Sequence, residues 1–211
     1  MKVVAINGSP KKEGNTYQII SILAEQLKKE DIETEILHIG GDAIKGCIAC
    51  GQCKKQKNEK CVQENDNVNK CIQIMKMADG IILGSPVYFS SIPGTMKSFL
   101  DRVFYVSTAN SNLFRYKVGV SVVADRRAGA VLTINQLNNY LNYSEMFLPS
   151  SNYWNVAYGS IPGEAIKDDE GVQTIRILGK NMAWLMKSIE ASKANQSIPE
   201  KENKIKLNYI R

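Results

Sequence analysis

The stretch "ADGIILGSPVYFSSIPGTMKSFLDR", Ala78 to Arg102, decides the fold. It opens with a short apolar run, Gly80 to Ser85, and breaks at Pro86. It then carries two aromatic residues and a second proline before Met96, Phe99, Leu100 and Val103 appear at helical spacing. A buried strand, a stiffened turn and an amphipathic helix in direct succession make half of a parallel βαβ unit. Pro93, whose φ is already set near the helical value, is a favoured first helical residue.

Outward from this stretch the same alternation repeats. Strands are expected at Val3 to Asn7, Thr34 to Ile39, Gly80 to Ser85 and Val118 to Val123, with a weaker one near Met146 to Leu148. Between them, helical stripes appear at Ile19, Ile20, Leu23 and Leu27 (about 16–29) and at Val68, Cys71, Ile72 and Met75 (about 66–77). Another carries Ile134, Leu137 and Leu141, and a last one, about 171–190, carries Ile175, Leu178, Met182 and Leu185. Five strands separated by helices fit an α/β architecture: a doubly wound five-stranded parallel sheet with helices on both faces. Its ligand site is expected beyond the carboxyl ends of the strands, where the strand order reverses. One domain spans 1–190, with the cysteine-rich stretch 46–61 inserted as a loop after the second strand. The polar tail 191–211 has little to bury, and a neighbouring subunit would pin it.

With 211 residues, the chain can bury a core without disulfides. The apolar run after Met1 and Lys2 is too short for a signal peptide, and no stretch is long enough to span a membrane. A cytoplasmic protein is expected. The net charge of +6 suits anionic partners such as phosphates, nucleotides or an acidic electron carrier. The basic residues form no stripe and no nucleic-acid motif, so neither nucleic acid nor membrane is expected as a partner.

The loops after strands carry the chemistry. "NGSPKKEGNT", Asn7 to Thr16, brings small, hydroxyl-bearing residues to a helix start, where free N–H groups and the helix dipole favour an anion. Ser9, Asn15 and Thr16 can add side-chain donors, although the same residue types also cap helices without any ligand. The loop is neither a Walker loop nor a G-x-G-x-x-G fingerprint. After the third strand, Tyr88 and Phe89 sit between two prolines and can wall a planar ring or pack as core aromatics. "VVADRRAGA", Val122 to Ala130, follows the fourth strand at the same edge. A phosphate cradle, an aromatic wall and a third loop suggest a phosphorylated planar cofactor, economically flavin mononucleotide (FMN).

The segments "GSPKKEGNT", "CIACGQC", "ADGIILGSPVYFSSIPGTMKSFLDR" and "DDEGVQTIRILGKNMAWLM" resemble the NADPH-dependent FMN reductase superfamily of flavodoxin-like proteins, and within it the iron-sulfur flavoprotein branch. The resemblance runs to about Ser188. It implies noncovalent FMN, with the phosphate held by Ser9, Lys11, Asn15 and Thr16 and the ring lined by Pro86, Val87, Tyr88 and Phe89. Arg126, Arg127 and Gly129 would edge the pyrimidine side; here Ala128, Ala130 and Val131 depart from the branch's usual glycine run. It also implies a homo-oligomer, a dimer or tetramer, with each cysteine loop near a neighbouring subunit's flavin.

Cys47, Cys50, Cys53 and Cys61 read C-x2-C-x2-C-x7-C. Two consecutive C-x2-C steps followed by a separate fourth cysteine resemble cubane-cluster spacing, whereas structural zinc more often uses two separated pairs; a loop of reduced thiols is the remaining alternative. The branch carries a [4Fe-4S] cluster on such a motif, usually with a shorter last gap. Lys54, Lys55, Lys57 and Lys60 would offset cluster charge and lower cysteine pKa values, and are equally compatible with a solvated basic loop that has no such task. Cys71 falls on an apolar helix face as a structural thiol, and His38, near a strand end, has no evident role.

The chain is therefore expected to be an FMN-dependent oxidoreductase relaying electrons between a [4Fe-4S] cluster and FMN, with a ferredoxin-like acidic carrier as partner. One alternative is an NAD(P)H-dependent FMN, quinone or azo-compound reductase without a cluster, with Arg126 and Arg127 meeting the nucleotide phosphates. Another is a non-enzymatic redox or zinc sensor. No acid/base pair or catalytic triad is present, as fits an enzyme whose cofactor carries the chemistry.

Overall fold

A computed structural model describes residues 1–202, 204, 205 and 207. The order is β1 (Lys2–Asn7), α1 (Asn15–Lys28), β2 (Glu33–His38), α2 (Gln52–Gln56), α3 (Val68–Met77) and β3 (Gly80–Pro86). It continues with α4 (Gly94–Ala109), β4 (Val118–Asp125), α5 (Ala130–Tyr143), β5 (Val156–Tyr158), a 3-10 turn at Ala165–Lys167 and α6 (Asp169–Ser192). The strands form one sheet in the order β2-β1-β3-β4-β5, and every pairing is parallel. This is the flavodoxin-like doubly wound arrangement, with its switch between β1 and β3.

The alternation of side chains along the strands separates two cores. Val4, Ile6, Ile81, Leu83 and Val123 pack against the layer of α3, α4 and α5. Their neighbours Val3, Ala5, Ile82, Val120 and Val122 pack against α1 and α6. Met96, Phe99, Leu100 and Val103 are all fully buried on α4, as their spacing requires. Pro93 sits one position earlier than expected, at the N-cap.

The fifth strand needs correcting. Phe147 makes only an isolated parallel bridge to Val118, through Gly119 N–H donating to Phe147 O at 2.9 Å and Phe147 N–H donating to Lys117 O at 3.0 Å. The chain then leaves the sheet at Pro149, which has no N–H to continue a ladder. It returns as β5, pairing Val156, Ala157 and Tyr158 with Val123, Ala124 and Asp125. The excursion carries Tyr153 and Trp154 edge-to-face at 4.4 Å, both exposed and so outside the core. Beside the Phe147 bridge, Arg115 donates to the carbonyls of Pro199 and Glu200 at 3.1 and 3.4 Å, holding that part of the tail, of which residues 203, 206 and 208–211 lie outside the described residues. Among the described residues no helix is long and apolar enough to cross a membrane.

Candidate active site

Asn7, the last residue of β1, builds the loop that follows it. Its amide donates to Lys12 O at 3.0 Å and accepts from Ser9 N–H at 3.1 Å, while Ser9 Oγ accepts from Lys11 N–H at 3.2 Å. His38, read from sequence as having no role, places Nε2 2.8 Å from Ser9 O and so clamps the loop from β2. The N–H groups of Asn15, Thr16 and Tyr17 at the start of α1 have no acceptor among the described residues, and the Thr16 hydroxyl makes no hydrogen bond. These are the orphan donors of a helix start, and their number and direction suit a phosphate.

Asn15 is used differently from the sequence expectation. Its Nδ2 donates to Gly159 O and Ile161 O, both at 3.0 Å, and its Oδ1 accepts from Gly163 and Ala165 N–H at 3.1 and 3.3 Å. The side chain thus ties α1 to the β5–α6 loop, leaving its backbone N–H for an anion.

After β3, Tyr88 and Ser91 exchange backbone hydrogen bonds of 2.8 and 3.0 Å across a two-residue hairpin. Its tip residues Phe89 and Ser90 have φ of 50° and 58°. Left-handed backbone costs a residue with a Cβ roughly 1–2 kcal/mol, and such strain gathers at ligand clamps. Tyr88 is half exposed and Phe89 wholly exposed, so neither is a core aromatic. Gly129, at φ +103°, lies directly against the hairpin: a Cβ there would come within 2.7 Å of Ser90 Cα.

One cleft is lined by Ser9, Lys11, Asn15 and Thr16, by Pro86, Val87 and Tyr88, and by Arg126. Phe89, Arg127 and Gly129 are not among its lining residues. Arg127 donates its backbone N–H to Asp125 Oδ1 at 3.2 Å, and the other oxygen of this buried carboxylate has no partner among the described residues. A fourth wall, Gly159, Ser160 and Pro162 from the β5–α6 loop, was missed from sequence because the fifth strand was placed too early.

The four cysteines meet elsewhere, around one small cavity shared with Ile48, Val62, Tyr105 and Val106. The long gap before Cys61 is taken up by α2 and a pinned turn. Lys57 Nζ donates to Ala109 O at 2.6 Å, Glu59 N–H donates to Asn110 Oδ1 at 3.1 Å, and Lys76 pairs with Glu59 at 2.7 Å. Burial pushes the Cys53 thiol up, against the lowering by a backbone hydrogen bond from Lys54, whose ammonium lies over the Tyr105 ring at 4.9 Å. Among the described residues no three His, Cys, Asp or Glu side chains are gathered to hold a single metal ion. Arg102 was also missed, although a charge at Phe99 plus three and Val106 minus four, on an otherwise apolar stripe, is a readable signal.

Residues 1–160 match the NADPH-dependent FMN reductase family. The chain belongs to this family. An iron-sulfur flavoprotein of Methanocaldococcus jannaschii is 36% identical over 197 residues, covering 90% of this chain and 100% of that one. This likeness places the chain with the iron-sulfur flavoprotein branch. Two solved structures share the fold. RosB, bound to 8-demethyl-8-formylriboflavin-5'-phosphate, has a TM-score of 0.68 at 15% identity, with coverage of 100% of this chain and 94% of that one. A flavodoxin from the domain Archaea has a TM-score of 0.57 at 13% identity, with coverage of 89% and 99%. The protein is a flavin-dependent oxidoreductase, and FMN is the flavin of its family.

Proposed function

We propose that this protein is an FMN-dependent electron-transfer oxidoreductase whose Cys47, Cys50, Cys53 and Cys61 hold a [4Fe-4S] cluster. The observation that carries the reading is the convergence of all four cysteines on one largely apolar cavity despite the long last gap. Flavin takes up two electrons and releases them singly, whereas a cluster passes one at a time, so the pair makes a relay.

The open N–H groups of Asn15, Thr16 and Tyr17, with Ser9, Lys11 and the Thr16 hydroxyl, would hold the FMN phosphate. Pro86, Val87 and Tyr88 would flank the ring, with Phe89 folding over its edge and Gly129 setting the hairpin's height. Arg126 would face the ring's polar edge. Exposed Phe89, Tyr153 and Trp154 support a homo-oligomer, and the basic surface supports an acidic, ferredoxin-like electron carrier.

A second reading is an NAD(P)H-dependent quinone or azo-compound reductase without a cluster, which the match to the NADPH-dependent FMN reductase family supports. Anaerobic purification with iron, sulfide and flavin analysis separates the two. Four irons and one FMN per chain, with slow NADPH oxidation, support the relay. One FMN without iron, with rapid NADPH-to-quinone turnover, supports the reductase. Zinc without flavin would make the protein a sensor.

A further inference from the structure

Arg102 lies outside the FMN cleft, in the middle of α4, and its side chain is 0% exposed. Every guanidinium nitrogen is engaged. Nε donates to Cys61 Sγ at 3.3 Å; Nη1 donates to Lys45 O at 3.3 Å and to Asp66; Nη2 donates to Gln63 O at 2.7 Å and to Asp66 Oδ1 at 3.2 Å. Cys61 is held at its backbone as well: its N–H donates to Asn69 Oδ1 at 2.7 Å, and Asn69 Nδ2 donates to its carbonyl at 2.9 Å. A buried ion pair is seldom more stabilising than apolar residues of the same volume, so stability alone gives little reason for an arginine here. The planar fork does something an apolar residue cannot. It spans backbone and side-chain acceptors on three residues of the 45–66 segment while aiming one N–H at a single sulfur.

We infer that Arg102 is a positioning residue that fixes the Cys61 sulfur as fourth cluster ligand and raises the reduction potential of the cluster. The inference rests on the cluster reading proposed above. One-electron reduction adds one negative charge to the cluster and its thiolates, without making or breaking a protein bond; in the test the electron comes from dithionite. An N–H and a positive charge fixed against a ligand sulfur stabilise the more negative, reduced state over the oxidised one. Asp66 offsets the charge at longer range, so the directional N–H is what remains local to Cys61.

The test uses the full-length protein reconstituted anaerobically with iron, sulfide and FMN, as wild type, Arg102→Lys and the double variant Arg102→Met/Asp66→Asn. Lysine keeps a charge beside Asp66 but loses the N–H at the sulfur; the double variant removes both charges, so no buried ion is left alone. Iron and FMN per chain, the EPR spectrum of the reduced protein and a redox titration are measured. Both variants are expected to retain iron and FMN with altered g values. The reduced-to-oxidised ratio at a given potential should fall roughly tenfold, a midpoint about 59 mV more negative for one electron. An unshifted midpoint with unchanged EPR overturns this inference while leaving the cluster reading intact. Loss of iron and FMN together in both variants also overturns it, marking Arg102 as a folding residue only. A wild-type chain that binds FMN but takes up no iron overturns both readings.

Discussion

Replacing Gly40 by alanine drives a methyl group into backbone. The added Cβ would lie 2.1 Å from Ser9 O, 2.2 Å from Ser9 C and 2.6 Å from Gly8 O. No rotamer change relieves contacts with main-chain atoms. Ordinary carbon contacts begin near 3.5 Å, so the Gly8–Ser9 segment must retreat by more than about 1 Å. Gly40 cannot retreat in its place: its N–H and that of Ile39 both donate to Asn7 O, at 3.3 and 3.0 Å. The retreat also strains the His38 contact to Ser9 O and moves the loop that leads into the open N–H groups of α1. A displacement of this size in a positioned site costs on the order of 100-fold, so the FMN dissociation constant should rise about 100-fold, or ~2.7 kcal/mol. Overpacking should lower global stability by roughly 1–3 kcal/mol. Titration of apo-protein with FMN, followed by flavin fluorescence, measures the first quantity, and urea unfolding measures the second. Gly41→Ala is the internal control, since its Cβ would meet only the ring carbon His38 Cε1 at 3.2 Å. An FMN affinity of Gly40→Ala within threefold of Gly41→Ala, in a folded protein, would refute the placement of the phosphate at this loop.

Three further outcomes are expected. Phe89→Gly removes a left-handed Cβ but adds backbone entropy, so its unfolding free energy in urea should change by less than about 1 kcal/mol while FMN binding weakens several-fold; unchanged binding would remove the hairpin from the site. Asn15→Ala deletes the four hydrogen bonds to the β5–α6 loop and should destabilise by roughly 2–4 kcal/mol in urea, far more than Thr16→Ser, which keeps the hydroxyl. Burial pushes the Cys71 thiol up to about 11 from an ordinary 9.0. The folded chain therefore holds a proton that the unfolded chain releases, and stability falls as pH rises from about 9 to 11, by at most roughly 2–3 kcal/mol. Cys71→Val should flatten that part of the stability profile, and an unchanged slope would show that the thiol does not titrate there.

The extent of the site legible from sequence follows from how each part is encoded. Strand and helix patterns are local, because burial on one face imposes a period of 2 or 3.6 on neighbouring residues. Ile81 to Leu83 and Met96 to Val103 therefore declared their roles, and the loops after β1, β3 and β4 followed at once. The spacing of Cys47, Cys50, Cys53 and Cys61 is likewise local, and all four line one cavity. β5 was different: three residues, split from the Phe147 bridge by an eight-residue excursion, leave no periodic trace. Losing that strand also hid the loop that forms the fourth wall of the cleft.

By itself the sequence determined the alternating α/β order, the loops that line one cleft at the sheet edge and the grouping of the cysteines. Only the tertiary structure decided which side chains are already engaged. Asn15 binds residues 144 to 150 positions away, and Arg102 reaches Cys61 across 41 positions. Such partners are selected by the packing of whole layers, where a buried donor must find an acceptor wherever the fold brings one. No local period records that choice, and so the His38 clamp on Ser9 and the arginine at the Cys61 sulfur emerge only when the sheet and its helices are assembled.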